Sequence, residues 1–510
     1  VTTKHLTAGQ RWAQLHQKRK GMLDRFEQYA AVTIPTVCLP DNVSQFTNSI
    51  QHDWTSFGAQ AVNHLVNKIN LALFRPGVAF FRLDPSREMR RALEAMQVPE
   101  EEVRRLLVTG EQEAMRVMDQ VALRPVLNEL GRHLVITGNV IWDTTEPETT
   151  VIGVRDYVVK RSRTGKLIEV LHHRRLLFNE LEPEVQYHVQ RGYAPDNEEA
   201  YLSYYRWFRR VRDKWYLEQW VEDTRLPEEY MHVYELDNLP IHVLTWNLAA
   251  GQDYGTGMVE EYAGDFSTLS TLAEAEVKAA ILASDYRWLA NPASVGDVDD
   301  VRNSVTGDVI PGVQGDLSII ALGNSEAVDS TARSADRVVR RLGQAFLLGS
   351  AVTRDAERVT AEEIRLQAME LETSLGGIYS RLAVELQVPV ARWLLEQIDL
   401  DIRGTQLVPT IITGLAALSR SVEAQQVMRF LAGLAQVGTL PPEVSSRLQL
   451  SPIISILAAA EGLDPTKYVK SEEQVAQEQA AAQQAALEQQ AQLAATQEGA
   501  KALARRNTEQ

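Results

Sequence analysis

Residues 351–395 read AVTRDAERVTAEEIRLQAMELETSLGGIYSRLAVELQVPVARWLL. They begin in a polar loop, 349–357, that carries Arg354 and Asp355, with Arg358 just beyond it. Thr360-Ala361-Glu362-Glu363 then has the spacing of a capping box. The Thr360 hydroxyl can accept a first-turn N–H while Glu363 reaches back to the cap. A very long helix over roughly 361–397 is predicted to follow, and the pair Gly376-Gly377 in its middle predicts a kink or a close helix crossing.

Upstream of the loop, residues 331–348 carry Ala335, Val338, Leu342 and Phe346 at helical spacing. Further upstream, Tyr262, Phe266, Leu269, Ala273, Val277, Ala280 and Ile281 follow steps of three and four. Between these two helices, residues 291–328 are rich in Gly, Asp and Val, which suits short strands and turns. One helix therefore leaves, a small β insert turns the chain, and a second helix returns. From 140 to 245 the period shifts towards two, with strand-like runs at Val151–Val159, Leu167–His172, Tyr201–Val211, Trp215–Val221 and Ile241–Trp246. Arg212-Asp213-Lys214 reads as a hairpin turn, and 178–198 as an acidic connection. Helical patterns occupy 10–32, 54–74, 86–120 and 121–137, the last stopping at Gly138-Asn139. Short helices are expected over 410–460, and 471–510 is mostly Ala, Gln and Glu. The fold class is α+β, mainly helical.

The chain has 510 residues, 45% of them hydrophobic, enough for a sizeable core. Lys and Arg number 52 against 68 Asp and Glu, a formal net charge of −16. Such a surface repels phosphates, so contact with nucleic acid must use a local basic feature. Cys38 is the single cysteine, which excludes an internal disulfide and a cysteine-based metal site. No apolar run approaches a membrane span and no signal segment is visible at Val1, so a soluble chain made in a reducing compartment is expected.

Motifs for catalysis are missing. Gly165-Lys166 in RTGKL lacks the upstream glycine and the Ser/Thr of a P-loop, and Gly255-Thr256-Gly257 reads as a tight turn. His172-His173 lies in a strand, where neighbours point to opposite faces and do not easily share a metal. Tyr204 to Arg212 interleaves aromatics with arginines, as a single-strand platform would. A hairpin with a buried aromatic face is the preferred reading, because Trp215–Val221 supplies a partner strand. Arg333, Arg337, Arg340 and Arg341 form a basic stripe opposite the apolar one on the returning helix. They can face a DNA backbone or pair with carboxylates such as Glu274 and Glu276 of the outgoing helix. Arg354 and Arg358 in the loop favour proximity to DNA.

This order of elements resembles the portal protein, or head-to-tail connector, of short-tailed, podovirus-type bacteriophages. The resemblance is carried by AVTIPTVCLPDN (31–42), WTSFGAQAVNHLVNKINLALFRPGVAFFRL (54–83), LVITGNV (134–140), GQDYGTGMVEEYAGDFSTLSTLAEA (251–275) and above all by 351–395. It implies a wing at 1–256, stem helices at 257–285 and 329–348, a clip at 286–328 and a tunnel loop at 349–359. A long kinked helix at 360–405, a crown at 406–470 and a C-terminal helical barrel or disordered tail at 471–510 complete the division. It implies a ring, usually of twelve copies, at one capsid vertex of the virion, assembled in the host cytoplasm, with double-stranded DNA in an axial channel. The implied partners are the large terminase subunit, a tail adaptor, and the major capsid protein and scaffold, with no membrane, cofactor, metal or catalytic residue. Arg354 and Arg358 become the DNA-channel residues; Arg333, Arg337, Arg340 and Arg341 face the channel or a neighbouring subunit. A structural ring adaptor of the tail is the alternative. An ATP-dependent motor is disfavoured by the missing P-loop.

Overall fold

The computed structural model describes residues 6–41, 43, 50, 52–75, 79–96, 100–190, 201–284, 286–291, 298–309, 313, 315, 317–321, 325–348, 371, 373–398 and 407–411. The chain divides into two compact units, 1–84 with 110–414, and 85–109 with 415–510.

The N-terminal stretch forms two helices, α1 (Ala8–Lys18) and α2 (Lys20–Ala31), rather than one. The break falls at Arg19, whose buried guanidinium donates to the carbonyls of Val154, Arg155 (2.8 Å) and Tyr157 (2.5 Å). Satisfying a buried guanidinium outweighs helix continuity, because an unpaired buried charge is costly. The helix α3 (Phe57–Leu73) buries the stripe expected for 54–74, from Ala61 to Leu73. The strand β1 (Phe81–Pro85) follows, then α4 (Arg87–Ala95) and α5 (Glu100–Gln120). The described residues of the second unit are 85–96 and 100–109, which include α4 and the beginning of α5.

The helix α6 (Leu123–Thr137) stops at Gly138, at φ +74°. A Cβ there would lie 2.4 Å from the backbone of Thr256 and Gly257, so glycine is needed for the close approach as well as for the left-handed turn. The strands β2 (Asn139–Asp143) and β3 (Thr150–Ile152) come next, then β4 (Tyr157–Arg161) and β5 (Leu167–Leu177). The expected strand 151–159 is split by the turn that Arg19 holds. The acidic connection contains a helix, α7 (Pro183–Gln190). The remaining strands of this region are β6 (Tyr201–Val211), β7 (Lys214–Val221), β8 (Thr224–Arg225), β9 (His232–Glu235) and β10 (Ile241–Thr245). They form a three-stranded sheet, β10-β2-β3, and a six-stranded sheet, β4-β5-β6-β7-β8 with β9 on β7. The predicted Arg212-Asp213 turn joins β6 to β7. Ala8 and Leu15 of α1 pack on Val158, Leu171, Tyr205 and Trp207 of the larger sheet.

A short α8 (Met258–Glu261) leads into α9 (Ala263–Ser284), β11 (Tyr286–Ala290), α10 (Val298–Asn303), β12 (Leu317–Ala321) and α11 (Ser325–Ala345). The insert is thus an antiparallel strand pair, with Tyr286 opposite Ala321 and Ala290 opposite Leu317, plus a short helix. The long helix expected over 361–397 is broken twice among the described residues. Gly376, at φ +58°, precedes a helix Gly377–Glu385, and Leu386 separates it from a helix Gln387–Gln397. Pro389 explains the second break: it lacks the N–H that would bond to Glu385, and is tolerated only in the first turn of a new helix. The last described element is β13 (Leu407–Ile411), which pairs with β1.

Candidate nucleic-acid interface

The two helices α9 and α11 lie antiparallel, and their junction with α3 is the best anchored part of the pair. Phe346 meets Phe266 edge-on at 5.4 Å and Tyr262 at 5.9 Å. The His64 ring of α3 lies 3.1 Å from the Leu347 carbonyl, where the chain turns with Leu347 at φ +60°. The Ser270 hydroxyl of α9 donates to Asp53.

Along α11, Ala335, Val338, Leu342 and Phe346 are buried on one stripe, as their spacing predicts. Arg333, Arg337 and Arg340 lie on the opposite line of the helix and are exposed. Arg333 donates back to the Asp329 carbonyl at 3.2 Å, and Arg337 to the Arg333 carbonyl at 3.3 Å and the Ser334 hydroxyl at 3.2 Å. None of these three arginines has a carboxylate partner among the described residues. Arg341 differs. It sits on the flank and holds Asp265 of α9 through two bonds, of 2.6 and 3.2 Å. Sequence spacing pointed to Glu274 and Glu276 as possible partners; Glu274 instead pairs with Lys278 on its own helix. The stripe of four is therefore a flank clamp and an uncompensated line of three, about 10 Å from first to last at 1.5 Å per residue. Arg354 and Arg358 lie outside the described residues.

The apolar stripe of α9 is covered at one end only. Phe266 and Leu269 are buried, while Val277 and Ile281, further along the same stripe, are 41% and 61% exposed. Leu282, on another side of the helix, is 50% exposed. Spacing puts Val277 and Ile281 on the apolar stripe, and the packing shows that α11 leaves them open.

The aromatic and arginine-rich β6 is not a base-stacking platform. Trp207 and Phe208 are buried, and the Trp207 indole N–H donates to Glu169 at 2.8 Å. Arg206 is buried in an ion pair with Asp143, and Arg209 pairs with Glu218. The two adjacent histidines face different surroundings, as strand alternation predicts. His172 lies buried near Arg206 and Asp143, while His173 stacks on Tyr205 and meets Trp12 at a tilt, both at 4.9 Å. Among the described residues no group of three or more His, Cys, Asp or Glu side chains is arranged to hold a metal. No described helix is long and apolar enough to cross a membrane.

The sequence model of the family described as bacteriophage head to tail connecting protein matches residues 6–469. The chain belongs to that family. Its relatives include the portal protein of Pseudomonas phage phiKMV, 32% identical over 493 residues and covering 92% of both chains. The portal protein of Enterobacteria phage SP6 is 29% identical, covering 91% of this chain and 90% of its own. That of Escherichia phage T7 is also 29% identical, covering 89% and 86%. Among solved structures, a chain in the neck of an empty GTA particle computed with C6 symmetry aligns with a TM-score of 0.37 at 13% identity, over 81% of this chain and 91% of that one. One in the neck of a native GTA particle computed with C12 symmetry gives 0.36 at 14%, over 80% and 91%. The family is thus fixed by sequence along nearly the whole connector chain, including the α9–α11 excursion.

Proposed function

We propose that this connector-family chain is a portal subunit that closes into a ring, of twelve copies on the family resemblance, around an axial channel for double-stranded DNA. The carrying observation is the half-covered stripe of α9. A subunit alone leaves Val277, Ile281 and Leu282 to water. Burying them against a second copy is favourable, at about 25 cal/mol per Å² of apolar surface. In this reading 1–256 is the wing, α9 and α11 the stem, 286–328 the clip, 349–359 the tunnel loop, 360–405 the helix behind it, 406–470 the crown, and 471–510 a barrel or tail. The clip docks the large terminase subunit during packaging and a tail adaptor afterwards. The major capsid protein and scaffold are further partners. The ring assembles in the host cytoplasm, ends at the capsid–tail vertex of the virion, and has no catalytic role of its own.

Charge sets how DNA behaves in such a channel. A chain of net −16 repels phosphates, which keeps a duplex centred and mobile. The line Arg333, Arg337 and Arg340, with Arg354 and Arg358, supplies a few sequence-independent phosphate contacts. Negative-stain images of the purified chain test the ring: annular particles with a central pore are expected, and a compact monomer refutes it. Replacing Arg354 and Arg358 by Ala is expected to leave rings intact and to impair DNA retention; normal packaging removes the loop from the mechanism.

A further inference from the structure

A groove of about 930 Å³ in the first unit is lined by none of the α9–α11 arginines. One wall is the β4–β5 turn, residues 161–166, and another is formed by the segment leading into β10. The helices Gly377–Glu385 and Gln387–Gln397 form the third. Five cationic side chains line it, Arg161, Arg163, Lys166, Arg381 and Arg392, against the carboxylates of Asp237, Glu385 and Glu396. In a chain whose carboxylates outnumber its cations, that local balance is reversed.

The five cations have different duties. Arg161 braces the turn, donating to the Gly165 carbonyl at 3.1 Å and the Asp253 carbonyl at 3.3 Å. Ser162 closes it by bonding the Lys166 amide through its hydroxyl and the Lys166 carbonyl through its own N–H. Gly165 takes the φ of +81° that the turn requires. Arg381 lies 3.9 Å from Glu385. Arg163 and Lys166 are exposed on this rigid turn, and neither has a carboxylate partner among the described residues. Arg392 spends one N–H on the Asp237 backbone carbonyl, at 3.1 Å, and has no ion-pair partner among the described residues. Three cations without an ion-pair partner among the described residues therefore border one groove from two walls.

We propose that this groove is a second phosphate-binding surface, which takes the phosphodiester backbone of DNA without reading its sequence. The groove is open, so it suits a continuous chain better than an enclosed small molecule. The element after Gly165-Lys166 disfavours a nucleotide. The chain enters strand β5 there, so no helix N-terminus is presented to a terminal phosphate. Duplex DNA carries one charge per about 1.7 Å, a line density that spaced cations in an acidic protein can still attract. The inference does not depend on ring formation, because all three walls belong to one chain.

The test uses the full chain and a fluorescent duplex of about 20 bp, titrated between 50 and 200 mM salt. The variant R163A/K166A/R392A is expected to bind about tenfold or more weakly at 100 mM salt, with the log–log salt slope reduced by roughly two to three. R333A/R337A/R340A is expected to weaken binding separately. Unchanged affinity and slope in the groove variant overturn the proposal, as does loss confined to the α11 variant. Displacement of the duplex by ATP reassigns the groove to a nucleotide. Displacement by a poly-glutamate peptide at equal charge reassigns it to an acidic protein segment. Negative-stain images of the same preparations separate the two readings: without rings the portal reading fails while the binding comparison still stands.

Discussion

β6 and α11 are both dense in arginine, and the fold uses them in opposite ways. On β6, Arg206 is driven inside and meets Asp143, a residue 63 positions earlier that β2 brings to it. Arg206 also donates to the Thr145 hydroxyl at 2.5 Å, so the buried guanidinium is well satisfied. On α11, Arg333, Arg337 and Arg340 are exposed without a carboxylate among the described residues, whereas the flanking Arg341 holds Asp265. The difference comes from the period of the element. A strand covered on both faces buries successive residues, whatever they are, and Tyr205 to Phe208 are all buried. A helix can turn its charged line away from its neighbour. Buried arginines are structure, and uncompensated exposed ones are available to a ligand.

The sharpest way to break that contrast is to remove one member of the buried pair. Arg206→Ala leaves Asp143 charged and unpaired inside the protein. A loss of about 3–5 kcal/mol is expected, read as a lower denaturation midpoint. If Arg206→Ala melts like wild type, the buried pair is not a structural element and the contrast fails.

Acid should weaken the buried interior in which the Arg206–Asp143 pair sits. Burial alone holds His133 down to about 4, and burial together with the Arg206 and Arg174 charges drives His172 well below its ordinary value. Both imidazoles are neutral in the fold, while the unfolded chain takes up protons near 6.5. Their contribution is therefore fully present above about pH 6.5 and is lost as pH falls towards 4. For Asp143, burial raises the carboxyl, but the Arg206 charge and the bonds from Arg206 and Thr145 outweigh it and hold it low. That contribution is present above the usual carboxylate range and disappears below it. Melting curves at pH 7, 5.5 and 4.5 should show a steady decline, with His133→Asn flattening part of the slope. A flat profile over that range refutes the buried-neutral assignment.

How much of this was legible beforehand depends on the range of the interactions. The stop at Gly138, the α3 stripe, the β6–β7 turn and the departing and returning helices are local patterns, and spacing revealed them. Arg19 breaking the first helix was not legible, because its three carbonyl partners lie more than 130 residues away. Pro389 is a local signal for the second break that the reading of 361–397 as one kinked helix does not use. Arg341 and Asp265 stand 76 positions apart, so no helical spacing could pair them, and the nearer Glu274 was the natural guess. The Arg163, Lys166 and Arg392 groove is assembled from three separate segments and has no signature in any of them.

Arg341→Ala tests the middle case. Its partner Asp265 is half-buried while the arginine itself is largely exposed, so the pair is screened by water. The expected cost is about 0.5–1 kcal/mol, and a double-mutant cycle with Asp265→Asn should recover most of it as coupling. A cost as large as that of Arg206→Ala would mean that the α9–α11 flank is buried in the assembled protein.

The smallest effect on folding belongs to the outer line. Arg333, Arg337 and Arg340 have no carboxylate to lose among the described residues, and their alanine versions keep or improve helix propensity. The triple variant should change monomer stability by no more than about 0.5 kcal/mol, as surface substitutions do. Its effect should appear elsewhere, as weaker duplex binding with a salt slope reduced by roughly two to three. If binding is unchanged but rings fall apart, these arginines serve a neighbouring subunit's carboxylates instead of phosphates.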